Sequence, residues 1–439
     1  MRASKKWSTF IKTLPDLWQD LDLSEAQRPV SNAFISQCIN RSKHRLRSAT
    51  LARLSKVDTA LHALTKRCLH LRSLTLHDAA LSSRSFMQHI AQSPRLTNLT
   101  FGPRTTIRLE QVSRLLVLCP QLISLICPSV GTSGNVAQAA WNVNFPNLET
   151  LKLVRSKESS SRATRSLDIV STHPFPICIA VDQEGQPSMI ARIPNICTLV
   201  LSLWDEPPDG RNLDFSMLKR LTHLDLGTLS SQLVPANFPS SLVFLASPPR
   251  WLYTTPGGHD LAMSSLKPWD GLDFPDLQTL HCETMEQAIM ILSGGASLNS
   301  EPSALGSAIW TPMQSLRILK CELACSTNVF DALSQMQSPR FESIGDLCLR
   351  GLQRVDDNWS LLITTTMPKL IRLDLSDSDV SGYGLKTLVN HLPELKLLRV
   401  ERCTELSSDA IAWARSRSIQ VISGMGKSEN ASGRSVRYE

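Results

Sequence analysis

Residues 367–403, MPKLIRLDLSDSDVSGYGLKTLVNHLPELKLLRVERC, state one hydrophobic phrase twice. Leu370, Leu373 and Leu375 carry the first copy; Leu395, Leu398 and Val400 carry the second, 25 residues later. The last two apolar positions of each copy are two residues apart, so in a strand both point to one side. Between the copies, Val380, Leu385, Leu388, Val389 and Leu392 fall at helical spacing and predict an amphipathic helix.

The phrase recurs along the chain. It reads HLRSLTL (Leu71, Leu74, Leu76), PRLTNLTF (Leu96, Leu99, Phe101), PQLISLIC (Leu122, Leu125, Cys127) and PNLETLKL (Leu148, Leu151, Leu153). It continues as PNICTLVL (Ile196, Leu199, Leu201), KRLTHLDL (Leu221, Leu224, Leu226) and PDLQTLHC (Leu277, Leu280, Cys282). QSLRILKC (Leu316, Leu319, Cys321) and ESIGDLCL (Ile344, Leu347, Leu349) precede the opening pair. Weaker copies lie at HRLRSATL (Leu46, Leu51), SSLVFLAS (Leu242, Leu245) and RSIQVIS (Ile419, Ile422). First positions are 25, 25, 26 and 26 residues apart from Leu46 to Leu148, and 28, 26, 25 and 24 apart from Leu316 to Ile419.

No single strand–helix unit of this size can bury its own leucines, whereas stacked units share one continuous core. The pattern therefore predicts an α/β solenoid with parallel strands on a concave face and helices on a convex one. Prolines just ahead of many strands fit the helix-to-strand corner, where no helical N–H is needed. The phrase and its spacing resemble the leucine-rich-repeat family in its longer, helix-containing intracellular form, which implies a horseshoe. The resemblance covers residues 46–422. Irregular insertions are expected near 155–192, 247–275 and 293–312, and a disordered tail over 423–439.

Residues 1–45 stand apart from the repeats. The stretch KKWSTFIKTLPDLWQDLDLS resembles the last third of an F-box, through Trp7, Phe10, Ile11, Leu14, Pro15, Leu17 and Trp18, with six residues ahead of Trp7. F-box proteins with leucine-rich repeats carry substrates to cullin-type ubiquitin ligases. The resemblance thus implies that these seven residues dock on a Skp-family adaptor while the repeats hold a protein target. The same segment also reads as an N-terminal cap over the first repeat's apolar edge, which any solenoid needs.

Composition narrows the alternatives. No stretch reaches the roughly 20 apolar residues of a membrane span, and MRASKKWSTF lacks the apolar core of a secretory signal. The 11 cysteines are scattered, without CxxC, and read as buried reduced thiols. Together these predict a cytoplasmic or nuclear protein without membrane contact, monomeric outside any complex. The net charge of +7 is concentrated in residues 1–67, which hold 13 Lys/Arg against 5 Asp/Glu. No aromatic interleaving accompanies that surplus, so a solvated face or an acidic protein partner is expected rather than nucleic acid.

Candidate chemistry adds little. There is no Walker loop, HExxH, GxSxG or GxGxxG after a strand, so neither catalysis nor a cofactor or metal is expected. The DSD at 377–379 and VDD at 355–357 precede helices and read as caps. Strand alternation places Arg372, Asp374 and Ser376 on the concave side, with Asp346, Cys348 and Arg350 on one neighbour and Leu397, Arg399 and Glu401 on the other. Asp346, Arg350, Arg372, Asp374, Arg399 and Glu401 are thus candidates for partner binding, a self-neutralising salt-bridge ladder being the alternative. Trp251 and Tyr253, in the Pro/Gly-rich insertion, are the other candidates, as interface anchors.

Overall fold

Each repeated phrase forms a short parallel strand around its middle leucine, because that leucine and the next apolar residue share one side of the backbone. The structure, a computed structural model, describes residues 14–26, 29–54, 57–77, 84–131, 144–155, 192–202, 215, 217–226, 238–246, 274–282, 288, 313–318, 339–351 and 355–423. The chain divides into two units, Met1–Pro235 and Ala236–Glu439.

In the first unit the strands are β1 (Asp20–Asp22), β2 (Ser48–Ala52), β3 (Ser73–His77), β4 (Asn98–Phe101), β5 (Ile107–Arg108), β6 (Ser124–Gly131), β7 (Thr150–Arg155), β8 (Thr198–Ser202) and β9 (His223–Asp225). They pair in parallel and in chain order, with β4 beside β6 and the two-residue β5 also on β6. Register aligns Leu21, Ala49, Leu74, Leu99, Leu125, Leu151, Leu199 and Leu224 in one row, and all are buried. Helices α1 (Asn32–Arg41), α2 (Val57–Arg67), α3 (Arg84–Ala91) and α4 (Leu109–Leu118) cover that row, with Ile35, Leu61, Ile90 and Leu115 fully buried.

The second unit repeats the plan. Its strands are β10 (Phe244–Ala246), β11 (Thr279–Cys282), β12 (Ser315–Ile318), β13 (Asp346–Cys348), β14 (Arg372–Asp374), β15 (Leu397–Arg399) and β16 (Gln420–Ile422). The central row is Leu245, Leu280, Leu316, Leu347, Leu373, Leu398 and Val421. Helices α5 (Pro339–Glu342), α6 (Asp357–Thr366), α7 (Gly382–His391) and α8 (Ser408–Ser416) follow. Each fully buried leucine contributes about 1.5–3 kcal/mol, and the rows make that contribution additive along the stack. The chain is an α/β leucine-rich-repeat solenoid.

The corners explain the prolines. Cys119, Met367 and Leu392 end their helices at φ −126°, −132° and −108° with ψ between 59° and 88°. Each precedes a proline, whose ring disfavours a helical conformation in the residue before it. The residue after the proline can tie successive coils together: Asn147 and Asn195 donate their side-chain amides to the carbonyls of Pro120 and Pro146 at 3.2 and 2.8 Å. At Phe145, Phe274 and Phe341 a buried phenyl stands three residues before the next corner leucine or isoleucine. After α2, α3, α4, α6 and α7 that point is held by Cys68, Ser93, Cys119, Met367 and Leu392 instead.

Two registers differ from the sequence reading. Leu316, assigned to the corner, is the centre of β12 and pairs with Leu280 and Leu347; Met313 takes the corner. In the last copy Val421 occupies the row and Ile422 faces outward, because a one-residue slip exchanges the two faces of a strand. The sheet also starts earlier than residue 46, since β1 lies inside the segment read as a cap and pairs with β2. Most of the three expected insertions, and the tail beyond Ser423, lie outside the described residues.

Candidate functional site

Strands only three or four residues long leave two outward positions each, and β12 to β16 bring these into two rows. The first row is Ser315, Asp346, Arg372, Leu397 and Gln420; the second is Arg317, Cys348, Asp374, Arg399 and Ile422. Rows of adjacent strands stand about 4.8 Å apart, close enough for each acid to meet the arginine one coil on. Arg372 forks onto Asp346, with Nε 2.5 Å from Oδ1 and Nη2 on Oδ2. Arg399 Nη1 stands 3.8 Å from Asp374 Oδ2. The Asp346 hydrogen bond raises the pKa of Arg372, as a charge-assisted fork should. Above these pairs lies a shallow depression of about 250 Å³, lined by Asp346, Cys348, Arg372, Asp374, Leu397 and Arg399 among others.

The strand alternation stops sooner than the sequence reading has it. Ser376 is fully buried, and its hydroxyl accepts the Glu401 N–H at 3.1 Å rather than facing the concave side. The chain turns instead through Gly351, Asp377 and Arg402, at φ +79°, +63° and +59°. Asp377 is a carboxylate that the sequence reading placed in a cap. In the structure Ser381 caps α7, accepting the Tyr383 N–H at 3.1 Å, while Asp377 receives both ends of the Arg402 guanidinium. Arg350 adds a contact to Asp377 at 3.6 Å and one to Glu401 at 3.9 Å. The Arg402 hydrogen bond holds the Asp377 carboxyl below the ordinary carboxylate range. Asp377 and Arg402 were legible only as a pair 25 residues apart at the same point of consecutive repeats.

The VDD acids do act as caps. Asp356 accepts the N–H groups of Asn358 and Trp359 at 3.0 and 3.3 Å. Asp357 reaches the next coil, accepting from Ser381 N, Ser381 Oγ and Gly384 N at 2.9, 2.5 and 3.1 Å.

Of the N-terminal candidates, Pro15, Leu17 and Trp18 form a 3-10 turn, Pro15–Trp18, that follows Leu14 and touches α1. Arg41 of α1 lies over the Trp18 ring at 4.9 Å. Leu17 points away and is 59% exposed. Trp7, Phe10, Ile11, Trp251 and Tyr253 lie outside the described residues. The eight described cysteines are free thiols, and burial pushes those of Cys68 and Cys119 up to about 11. Among the described residues no three His, Cys, Asp or Glu side chains gather as metal ligands, and no helix is long and apolar enough to cross a membrane.

No protein-family model matches the chain, and no curated protein does. Among solved structures it is similar to the Rad7–Elc1 complex of yeast, at 14% identity and a TM-score of 0.40 over 91% of this chain and 81% of that one. An internalin (inlF) from Listeria monocytogenes gives 10% identity and a TM-score of 0.38 over 95% of both chains. The TLR13–ssRNA13 complex gives 14% identity and a TM-score of 0.27, covering 92% of this chain and 63% of that one. The chain's own strand registers and buried leucine rows make it a leucine-rich-repeat protein in fold.

Proposed function

We propose that this chain is a protein-binding repeat protein that serves as a substrate receptor of a cullin-type ubiquitin ligase. Its target rests on the strand face of β12 to β15, and its N-terminal segment docks on a Skp-family adaptor. The observation that carries the binding role is the pair of outward rows. Arg372, Asp374 and Arg399 stand on rigid strands, in fixed register, around a depression open to solvent. For the adaptor, the support is Leu17, a large apolar side chain left exposed beside a turn anchored by Trp18 and Arg41. In this reading the protein works in the cytoplasm or nucleus, in keeping with its free thiols.

Co-expression with a recombinant Skp-family adaptor tests the ligase link. A stable complex lost in Leu17→Asp is the expected result. A second reading, a repeat scaffold or inhibitor with no ligase role, draws on the same segment: β1 pairs with β2, and the turn before it packs on α1, as an end cap would. Absence of any complex with the adaptor selects that reading.

A further inference from the structure

The charges on the C-terminal strand face are not evenly satisfied. Each of the four carboxylates on the rows and turns already faces a guanidinium: Asp346 has Arg372, Asp374 has Arg399, Asp377 has Arg402 and Arg350, and Glu401 has Arg350. The guanidiniums are in excess. Arg317 is exposed and has no carboxylate within ion-pair reach among the described residues. Register places it directly beside Cys348, which lines the depression. Arg399 is held only by its 3.8 Å contact, and its Nε is buried without a hydrogen-bond partner.

We propose that the target segment seated here is an acidic peptide, whose Asp or Glu carboxylates bind Arg317 and Arg399 while a small apolar side chain enters the depression beside Leu397. This rests on the reading of the strand face as the target-binding surface. An incoming carboxylate finds, at the exposed Arg317 and the half-exposed Arg399, Nη donors without a hydrogen-bond partner among the described residues, and charge-assisted hydrogen bonds of this kind are the strong ones. An incoming cation would have to displace an arginine from each acid it approached. A nucleic-acid backbone fits less well, because its closely spaced phosphates would lie against Asp346 and Asp374 as well.

Fluorescence anisotropy with the full chain tests this, using a short labelled peptide of Glu, Ala and Leu and its counterparts with Gln or Lys in place of Glu. The Glu peptide is expected to bind, to weaken with added salt, and to lose about tenfold or more in affinity in Arg317→Glu. Arg317 is exposed, so the variant should keep the wild-type thermal unfolding profile. Equal binding of the Gln peptide, undiminished binding by Arg317→Glu, or displacement of the Glu peptide by homopolymeric RNA overturns the proposal. Capture of the Lys peptide, lost in Asp346→Asn, overturns the acidic partner and leaves the strand face as the binding surface. If no peptide gives a signal that any variant on this face alters, both readings fall.

Discussion

At the first outward strand position β2 to β8 of the first unit carry Ser48, Ser73, Asn98, Ser124, Thr150 and Thr198, while β12 to β16 of the second carry Ser315, Asp346, Arg372, Leu397 and Gln420. At the next outward position Thr50, Thr75, Thr100 and Ile126 of β2, β3, β4 and β6 contrast with Arg317, Cys348, Asp374 and Arg399 of β12 to β15. The outward face of β2, β3, β4 and β6 is largely hydroxyl-lined and that of β12 to β15 charged, over buried rows that are mostly leucine. Charge also stands on the first unit's strands, at Asp20 and Asp22 of β1, Lys152 of β7 and Asp225 of β9. Outward residues touch little of the core, so the fold tolerates either set. Of the basic residues in 1–67, Arg41, Lys66 and Arg67 sit in the last turns of α1 and α2, where the helix dipole favours cations. Those helix-end charges serve the helices, whereas the charges of β12 to β15 stand on the outward face of the sheet.

The comparison breaks first if the buried rows are not equivalent. Leu99→Ala and Leu373→Ala, both at sealed centres of their strands, should each cost about 2–5 kcal/mol in urea unfolding. A large cost in one unit and a negligible one in the other would show that the rows do not share a common role.

The next effects belong to the second unit's helix junction. A Cβ on Gly384 would stand 2.2 Å from Asp357 Oδ1 and 2.8 Å from Ser360 Oγ. Gly384→Ala should therefore destabilise by about 1–3 kcal/mol. Gly345→Ala, whose new methyl would meet Gln314 O at 3.5 Å, should stay within about 0.5 kcal/mol of wild type. Asp357→Ala removes three hydrogen bonds at the start of α7 and should cost about 1–2 kcal/mol.

Smaller effects sharpen the contrast between the faces. Thr100→Ala and Arg372→Ala should each change stability by less than about 1 kcal/mol, yet Arg372→Ala alone should weaken target binding. The smallest is electrostatic. Because Arg402 holds the folded Asp377 carboxyl below its unfolded value, the pair stabilises the fold above the unfolded pKa. That contribution fades as pH falls through the folded value. By NMR, Asp377 should titrate below the ordinary carboxylate range in wild type and move back up in Arg402→Gln.

Much of this was legible in the amino-acid order. Leu74, Leu99, Leu125, Leu151, Leu373 and Leu398 were placed from spacing alone and occupy the buried rows, since a period near 25 residues leaves few other ways to hide them. The candidate face was partly legible: strand alternation puts Asp346, Arg372, Asp374 and Arg399 on one side of neighbouring strands, without saying which arginine meets which acid. Asp377 and Arg402 escaped, because a left-handed turn carries no hydrophobic signal, and Ser376 was misassigned because alternation was run one residue too far. Trp7, Phe10 and Ile11 of the F-box-like stretch lie outside the described residues.

Leucine spacing by itself determined the repeat, its strand–helix alternation and which side of most strands is dry, because burial of apolar area depends on position in the period and little else. Register where two apolar residues compete was decided only by the assembled sheet. Leu316 and Leu319 both satisfy the phrase, and so do Val421 and Ile422; the backbone hydrogen bonds of the neighbouring coil choose between them. The pairing of arginines with acids was likewise decided there, since it depends on which side chains parallel strands bring within about 5 Å of one another.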